Sequence, residues 1–204
     1  MLKKSLTLAI AASLITLTGC LKEKHINAEA PATMSEEAIA AATASSRGAI
    51  KAFGGQLKGE LVAAMKAGGP LNALDICNTK SPEITASVSE EKGVDVSRVS
   101  LKNRNPGNAP AAWQEKVLLD FEARKAAGED PKTLEHHEVA NVDGKTEFRY
   151  MKAAVAGKKV CLACHGENIA DEVQAKISAL YPEDKATGYK LGDIRGAFVV
   201  TQTF

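Results

Sequence analysis

The spacing of small and apolar residues predicts two consecutive helices in the first part of the chain. The periodic positions, three or four residues apart, are Ile39, Ala42, Ser46, Ile50, Phe53, Leu57, Leu61 and Met65. Thr33 begins a capping-box pattern, so we expect a long amphipathic helix from there. Gly68 and Gly69 are expected to end it. The second helix is expected over residues 70–78, with Pro82 as its downstream boundary.

Alternation of apolar and polar positions predicts four strands in the remainder of the chain. Residues 96–101 alternate partly as a strand does. Residues 138–142 and 145–155 flank Asp143-Gly144, which is the two-residue signal for a tight hairpin. The apolar run over residues 196–201 is expected to close the chain as a buried strand.

Two further helices are predicted between these strands. One has the apolar face Trp113, Val117, Leu118 and Phe121, with Gly128 as its stop. The other has the face Ile169, Val173, Ile177 and Leu180. Residues 103–110 are dense in turn formers and are expected to form a structured loop. Separate helices with an antiparallel hairpin predict an α+β domain.

The N-terminus has the pattern of an export signal. Lys3 and Lys4 precede an apolar stretch over residues 6–17, which is too short to span a bilayer. The sequence Leu17-Thr18-Gly19-Cys20 resembles the lipobox of bacterial lipoproteins, where the chain is cut before a cysteine that then carries lipid. We therefore expect Cys20 to be the lipidated first residue of the mature protein.

This interpretation divides the chain into three parts. Residues 1–19 are expected to be a lipoprotein signal peptide, residues 20–32 a lipidated tether, and residues 33–204 one folded domain. Leu21 follows the cysteine, whereas an Asp there retains lipoproteins in the inner membrane. The expected location is the outer membrane of a Gram-negative-type envelope, facing the periplasm, with the acyl chains as the membrane anchor.

The charge balance excludes one large class of partner. The 26 basic residues nearly cancel the 25 acidic residues. Proteins that bind nucleic acid usually carry a basic excess, so no nucleic-acid partner is expected.

The stretch Cys161-Leu162-Ala163-Cys164-His165 carries the chemistry that the sequence predicts most directly. Two thiols three residues apart can add to the vinyl groups of haem, and the following imidazole then lies beneath the iron. One covalent c-type haem is therefore expected, with His165 as its proximal ligand. One alternative is a thioredoxin-like redox pair, but the chain has no βαβ pattern upstream of the motif. Another is a zinc site, which would need further ligands nearby.

The remaining cysteine, Cys77, needs an explanation, since Cys20, Cys161 and Cys164 are already assigned. In an oxidising compartment it could be buried and inert, pair between molecules, or bind the iron opposite His165. The competitors for that distal position are Met65, Met151, His136 and His137. Of these, Met151 is expected to be a packing residue, on the strand face opposite Phe148 and Tyr150.

The chain resembles a family of periplasmic single-haem c-type domains with a PAS-like fold, found in cyanobacterial cytochromes and bacterial sensor kinases. The resemblance spans residues 71–204. It rests on residues 76–77, 81–84, 98–108, 161–166, 181–189 and 192–197. It implies an antiparallel sheet flanked by helices, with iron held between His165 and Cys77. A thiolate ligand would lower the reduction potential of the iron.

Three functions follow as hypotheses. With two protein ligands the iron has no open site, which favours a one-electron carrier or redox sensor with an unidentified redox partner protein. The alternative is a haem-based sensor that binds CO or NO after the distal ligand leaves. A peroxidase is a third, and it would need an acid or base such as His136.

Three arginines are candidates to pair with the haem propionates, namely Arg98, Arg104 and Arg195. A surface or structural role is the alternative for each of them.

Overall fold

The computed structural model describes residues 32–204, so the predicted signal peptide, Cys20 and most of the tether lie outside the described residues. The elements are α1 (Glu36–Lys92), β1 (Asp95–Val99), a short 3-10 turn (Pro106–Asn108), α2 (Ala112–Ala126), β2 (Glu135–Val142), β3 (Lys145–Val155), α3 (Lys159–His165), α4 (Asp171–Leu180) and β4 (Ile194–Thr203). The four strands form one antiparallel sheet in the order β1-β4-β3-β2. The predicted α+β class, with a sheet flanked by helices and a long N-terminal helix, is confirmed. None of the described helices is long and apolar enough to cross a membrane.

The N-cap of helix α1 lies two residues after the predicted cap, Thr33. Ser35 has an extended backbone, and its side chain accepts a hydrogen bond from the Ala38 N–H at 3.2 Å. Thr33 lies upstream of the helix, so its predicted role as the cap was wrong. Serine and threonine are both good caps, and only the backbone conformation of Ser35 decides between them.

Glycines divide α1 into two arms, as predicted. Gly68 and Gly69 leave helical geometry, and Gly69 adopts φ 68°, which favours glycine. The first arm therefore precedes Gly68 and the second arm follows Gly69. Gly54 and Gly55 remain helical within the first arm.

The second arm runs through Pro82 to Lys92, so the predicted end at residue 78 was wrong. A proline inside a helix costs about 3 kcal/mol, because it removes one backbone hydrogen bond and crowds the preceding turn. Ile84 and Val88 follow it and are buried in the core, where each contributes about 1.5–3 kcal/mol. Their burial offsets the cost of Pro82.

The sheet has a core on each face. On one face, α1 packs on a cluster that includes Phe53, Val88, Phe148, Tyr150 and Val200. On the other, α2 packs on a cluster that includes Leu118, Phe121, Met151, Ala197 and Val199. Met151 is fully buried on the face opposite Phe148 and Tyr150, which confirms its predicted packing role.

The hairpin and the last strand show two turn and bulge features that depend on glycine. Asp143 and Gly144 have φ 51° and 80°, so the predicted tight hairpin is confirmed. A bulge lies between Ala154 and Val155, beside Gly196 at φ 145° on β4. A Cβ at Gly196 would lie 2.2 Å from the Val99 carbonyl oxygen, so this contact between strands requires glycine.

Replacing Gly196 with alanine should destabilise the protein by about 2–3 kcal/mol or more, because the substitution adds backbone strain and a clash with the Val99 backbone. Gly48→Ala is the matched control, since Gly48 is an exposed helical residue with open space around it. It should stabilise by about 1 kcal/mol. Urea unfolding measures both changes, and equal stabilities of the two variants would contradict the assignment.

Glu135 gives the fold a defined acid sensitivity. Burial alone would raise the pKa of this carboxyl, but hydrogen bonds from Arg47 on α1 and Lys152 on β3 outweigh burial and lower it to about 2. A carboxyl with a depressed pKa stabilises the fold above its unfolded pKa, about 4.3. That stability is lost as the pH falls from there towards 2.

We therefore expect the free energy of unfolding of the wild type to fall more steeply between pH 4.5 and 2 than that of Glu135→Gln. Urea titrations at several pH values measure both slopes. Glu60→Gln, an exposed change on α1, is the control and should keep the wild-type slope. Parallel curves for the wild type and Glu135→Gln would refute the role of this carboxyl.

Candidate haem site

A cavity of about 620 Å³ lies between both arms of α1, β1 with the loop after it, α3 and the start of β4. It is lined by Cys77 from the second arm and by Cys161, Cys164 and His165 from α3. Met65 and the three predicted arginines also line it. A volume of this size suits a cofactor or another small ligand.

The Cys-x-x-Cys-His stretch forms the short helix α3. Three- and four-residue spacing on a helix places Cys161, Cys164 and His165 on one side. The helix stops at Gly166, whose N–H donates to the Leu162 carbonyl at 2.9 Å. A Cβ at Gly166 would lie 2.6 Å from that carbonyl oxygen, so glycine permits the close approach.

The imidazole of His165 has a defined tautomer. Its Nδ1 lies 2.7 Å from the Ala186 carbonyl oxygen and 3.2 Å from Nη1 of Arg195. A carbonyl can only accept and a guanidinium can only donate, so the shorter contact places the proton on Nδ1. The Arg195 contact is then one between two donors. Nε2 keeps its lone pair free to bind a metal, as a metal-binding imidazole requires.

The surroundings also keep this imidazole neutral. Burial, and then the charges of Arg195 and Arg104, lower the pKa of His165 well below its usual range. The ring of Tyr189 meets the imidazole edge-on, with 6.5 Å between ring centroids. His165 remains partly exposed, and it lines the cavity.

Arg104 is held by protein groups on several sides. Its Nε and Nη2 donate to the Asp184 carboxylate at 3.0 and 3.2 Å, and Nη2 also lies 2.6 Å from the Cys164 carbonyl oxygen. The Arg104 and Asp184 side chains are only 11% and 6% exposed. Of the two roles considered for Arg104, the contacts favour the structural one.

Arg98 and Arg195 differ from Arg104, because neither forms an ion pair with a carboxylate among the described residues. Arg98 donates to Ser81 Oγ and lies 5.3 Å from the centre of the Phe53 ring. Burial lowers the pKa of Arg195 to about 10 and also lowers that of Arg98. Guanidiniums in such surroundings need an anion, so the cavity fits a ligand with acidic groups.

Cys77 faces the same cavity from the second arm of α1. Burial raises the pKa of its thiol, while Arg98, Arg104 and Arg195 act in the opposite direction. Burial also raises the pKa of Cys164. The thiolate of Cys77 would thus have three guanidiniums around it as counter-charges.

The residues present fit a c-type haem. The donor set provides two thiols for covalent links, a neutral imidazole, a further soft sulfur ligand and two guanidiniums without carboxylate partners. Apolar side chains complete the lining, and they include Leu57, Leu61 and Leu74. A zinc ion would need four converging ligands. Cys77, Cys161, Cys164 and His165 line one cavity, but among residues 32–204 no three His, Cys, Asp or Glu side chains lie close enough together to hold a metal ion.

The other candidate distal ligands divide into two groups. Met65 lines the cavity from the first arm of α1. His136, His137 and Met151 do not line it. His136 lies 3.6 Å from a Glu138 carboxylate oxygen, and His137 stacks on Phe148 with 5.8 Å between centroids.

Sequence reasoning assigned no role to Asp184, although this residue contacts Arg104 closely. Both residues lie in stretches that supported the family resemblance, residues 98–108 and 181–189. Opposite charges in two such stretches are a signal that could have paired them. The hydrogen bond between His165 Nδ1 and the Ala186 carbonyl had no comparable signal in the sequence, because any residue can supply a carbonyl.

Comparison with known proteins supports the resemblance. The crystal structure of the cyanobacterial heme-protein Tll0287 matches with a TM-score of 0.57 and 22% sequence identity, over 83% of this chain and 96% of that chain. This likeness shows a shared fold. A search of curated proteins found no match. The family model described as Tll0287-like matches residues 22–203. Because that match covers nearly the whole chain, the protein belongs to the Tll0287-like family.

Proposed function

We propose that this protein is a membrane-anchored monohaem c-type cytochrome that acts in one-electron transfer or redox sensing. The observation that carries the proposal is the convergence of Cys161, Cys164, His165 and Cys77 on one cavity. The sequence separates Cys77 from the motif by more than eighty residues, and the fold brings them to the same space. The heme-protein Tll0287, which shares the fold, supports the choice of cofactor.

The protein groups have distinct roles in this proposal. Cys161 and Cys164 would hold the haem covalently, and His165, through Nε2, and Cys77, as a thiolate, would be the two protein ligands of its iron. The bound haem supplies a one-electron couple between ferric and ferrous iron. The thiolate stabilises the ferric form and lowers the reduction potential.

Arg98 and Arg195 are the residues that we assign to the haem propionates. Both line the cavity without a carboxylate partner among the described residues. Two carboxylates would satisfy two guanidiniums, and charge-assisted pairs of this kind are stronger than neutral hydrogen bonds. The same arginines act as counter-charges to Cys77.

The membrane anchor and the location are part of the same proposal. The lipobox-like sequence around Cys20 supports attachment by lipid, with the domain facing the periplasm. Covalent haem attachment takes place on the exported side of the cytoplasmic membrane, so the export signal and the haem motif agree. A redox partner protein must meet the domain there.

A second candidate is a sensor for CO or NO. The apolar residues Leu57, Leu61 and Met65 line the cavity from the first arm of α1, and uncharged diatomic ligands suit such a wall. Loss of Cys77 from reduced iron would open the site. The peroxidase alternative relied on His136, which does not line the cavity, so we do not propose it.

Replacing Cys77 with serine should change the ferric absorption and EPR spectra and raise the reduction potential. The shift should be on the order of 0.1 V, within the range of about 0.8 V over which axial ligands set haem potentials. Thr79→Ala, an exposed change on the same helix, should alter neither. Unchanged ferric spectra in Cys77→Ser would reject Cys77 as a ligand.

Addition of CO to the reduced wild type tests the sensor candidate. An unaltered spectrum of the reduced protein would count against that candidate.

Replacing Cys20 with alanine should abolish labelling by radioactive palmitate and leave the protein at the higher mass of the uncut precursor. Labelling and gel mobility in an expressing Gram-negative host measure both effects. Cys77→Ser is the matched control and should be labelled like the wild type. Palmitate incorporation into Cys20→Ala would contradict lipidation at this residue.

A further inference from the structure

A chain of hydrogen bonds runs behind His165, on the side away from the lone pair of Nε2. Arg104 donates to the Asp184 carboxylate, and Asp184 Oδ1 accepts from the Ala186 N–H at 2.9 Å. The Ala186 carbonyl in turn accepts from His165 Nδ1 at 2.7 Å. Arg104 also donates to the Cys164 carbonyl, which belongs to the residue just before His165.

We propose that the Arg104–Asp184 pair is a positioning element that holds the Ala186 carbonyl on His165 and thereby lowers the reduction potential of the site. The inference rests on the proposed haem function. It assigns to two residues outside the ligand set a role in tuning the iron that they do not touch.

The loop that carries Ala186 is anchored at both ends. At its start, the Asp184 carboxylate holds the Ala186 N–H, and the Lys185 N–H donates to the Asn103 carbonyl at 3.1 Å. At its end, the N–H groups of Gly188 and Tyr189 donate to the Gly166 and His165 carbonyls, each at 2.9 Å. Ala186 itself is fully buried.

Arg104 connects this loop to α3, because one guanidinium contacts both. The Asp184 carboxylate lies on the loop, and the Cys164 carbonyl lies at the end of the motif helix. A planar guanidinium can donate in several fixed directions at once. A lysine ammonium carries the same charge but cannot reproduce that geometry. The geometric role of Arg104 is thus separable from its charge.

The consequence for the iron follows from the basicity of the imidazole. A hydrogen bond from Nδ1–H to an acceptor orients a ligating histidine and makes it a stronger donor to the metal. A stronger donor stabilises ferric iron more than ferrous iron, which lowers the potential. If the carbonyl moves away, the imidazole donates less and the potential rises.

The test is potentiometry of the haem-loaded protein in three variants. Arg104→Lys keeps the charge and loses the geometry, and Asp184→Asn removes the carboxylate while keeping its shape. Asp193→Asn is the matched control. Like Asp184, Asp193 accepts from one basic side chain, Lys125, and from one backbone N–H, that of Lys190, but it does not line the cavity. At the potential where the wild type is half reduced, we expect the ratio of reduced to oxidised haem to be about tenfold higher in Arg104→Lys and Asp184→Asn than in the wild type. Asp193→Asn should match the wild type.

A second measurement reads the hydrogen bond itself. In reduced protein with isotope-labelled histidine, NMR gives the rate at which the His165 ring N–H exchanges with solvent. Exchange should be about tenfold faster in Arg104→Lys and Asp184→Asn, because the acceptor is no longer held in place. Loss of the Asp184 charge alone would raise the reduction potential but would leave the exchange rate of the His165 ring N–H unchanged.

The outcomes separate the inference from the proposed function. A wild-type potential in Arg104→Lys, or unchanged ring N–H exchange in both variants, would overturn the positioning role. If Arg104→Lys fails to fold, the exchange rate in Asp184→Asn decides. Absence of covalent haem from the purified wild type, measured as its pyridine haemochrome, would reject the proposed function and this inference with it.

Discussion

Positive charge gathered around one cavity is the constraint on which the site depends. Arg98, Arg104 and Arg195 line the same space, and within the described residues only Asp184 pairs with one of them as a carboxylate. Guanidiniums removed from bulk water are costly unless anions and hydrogen-bond acceptors replace the lost solvent. The fold meets part of this requirement through Asp184, Ser81 and backbone carbonyls. A ligand with acidic groups would meet the remaining requirement, so the charges around the cavity favour such a ligand.

The sheet gives this site its rigidity. Both faces are covered, one by α1 and the other by α2, so the strands that contribute Arg98 and Arg195 are held from two sides. Cys77 and His165 come from helices that meet at the cavity from different parts of the chain. Side chains carried by packed helices keep their positions more accurately than side chains on loops, which suits the proposed redox centre, because such a centre must change its charge with little movement.

The sequence predicted those parts of the molecule that depend on local chemistry. The Asp143-Gly144 hairpin followed from turn preferences, and the Gly68-Gly69 break in α1 followed from the lack of a side chain. Prediction failed where tertiary contacts decide: α1 passes Pro82 because Ile84 and Val88 are buried beyond it. The site divides in the same way, because the stretch from Cys161 to His165 is visible in the sequence alone. The Arg104–Asp184 pair appears only once residues eighty positions apart are brought together.

The break at Gly69 also makes the stability of the protein uneven along α1. Between Phe53 and the break, the first arm contains Gly54, Gly55 and Gly59, each of which weakens a helix by about 1 kcal/mol relative to alanine. Most side chains of this stretch are exposed, and Leu57, Leu61 and Met65 lie along the cavity. A stretch with few buried contacts opens at a lower free energy than the sheet does. We therefore expect the wall of the cavity that this stretch forms to unfold locally while the rest of the domain stays folded, so that its amide hydrogens exchange first.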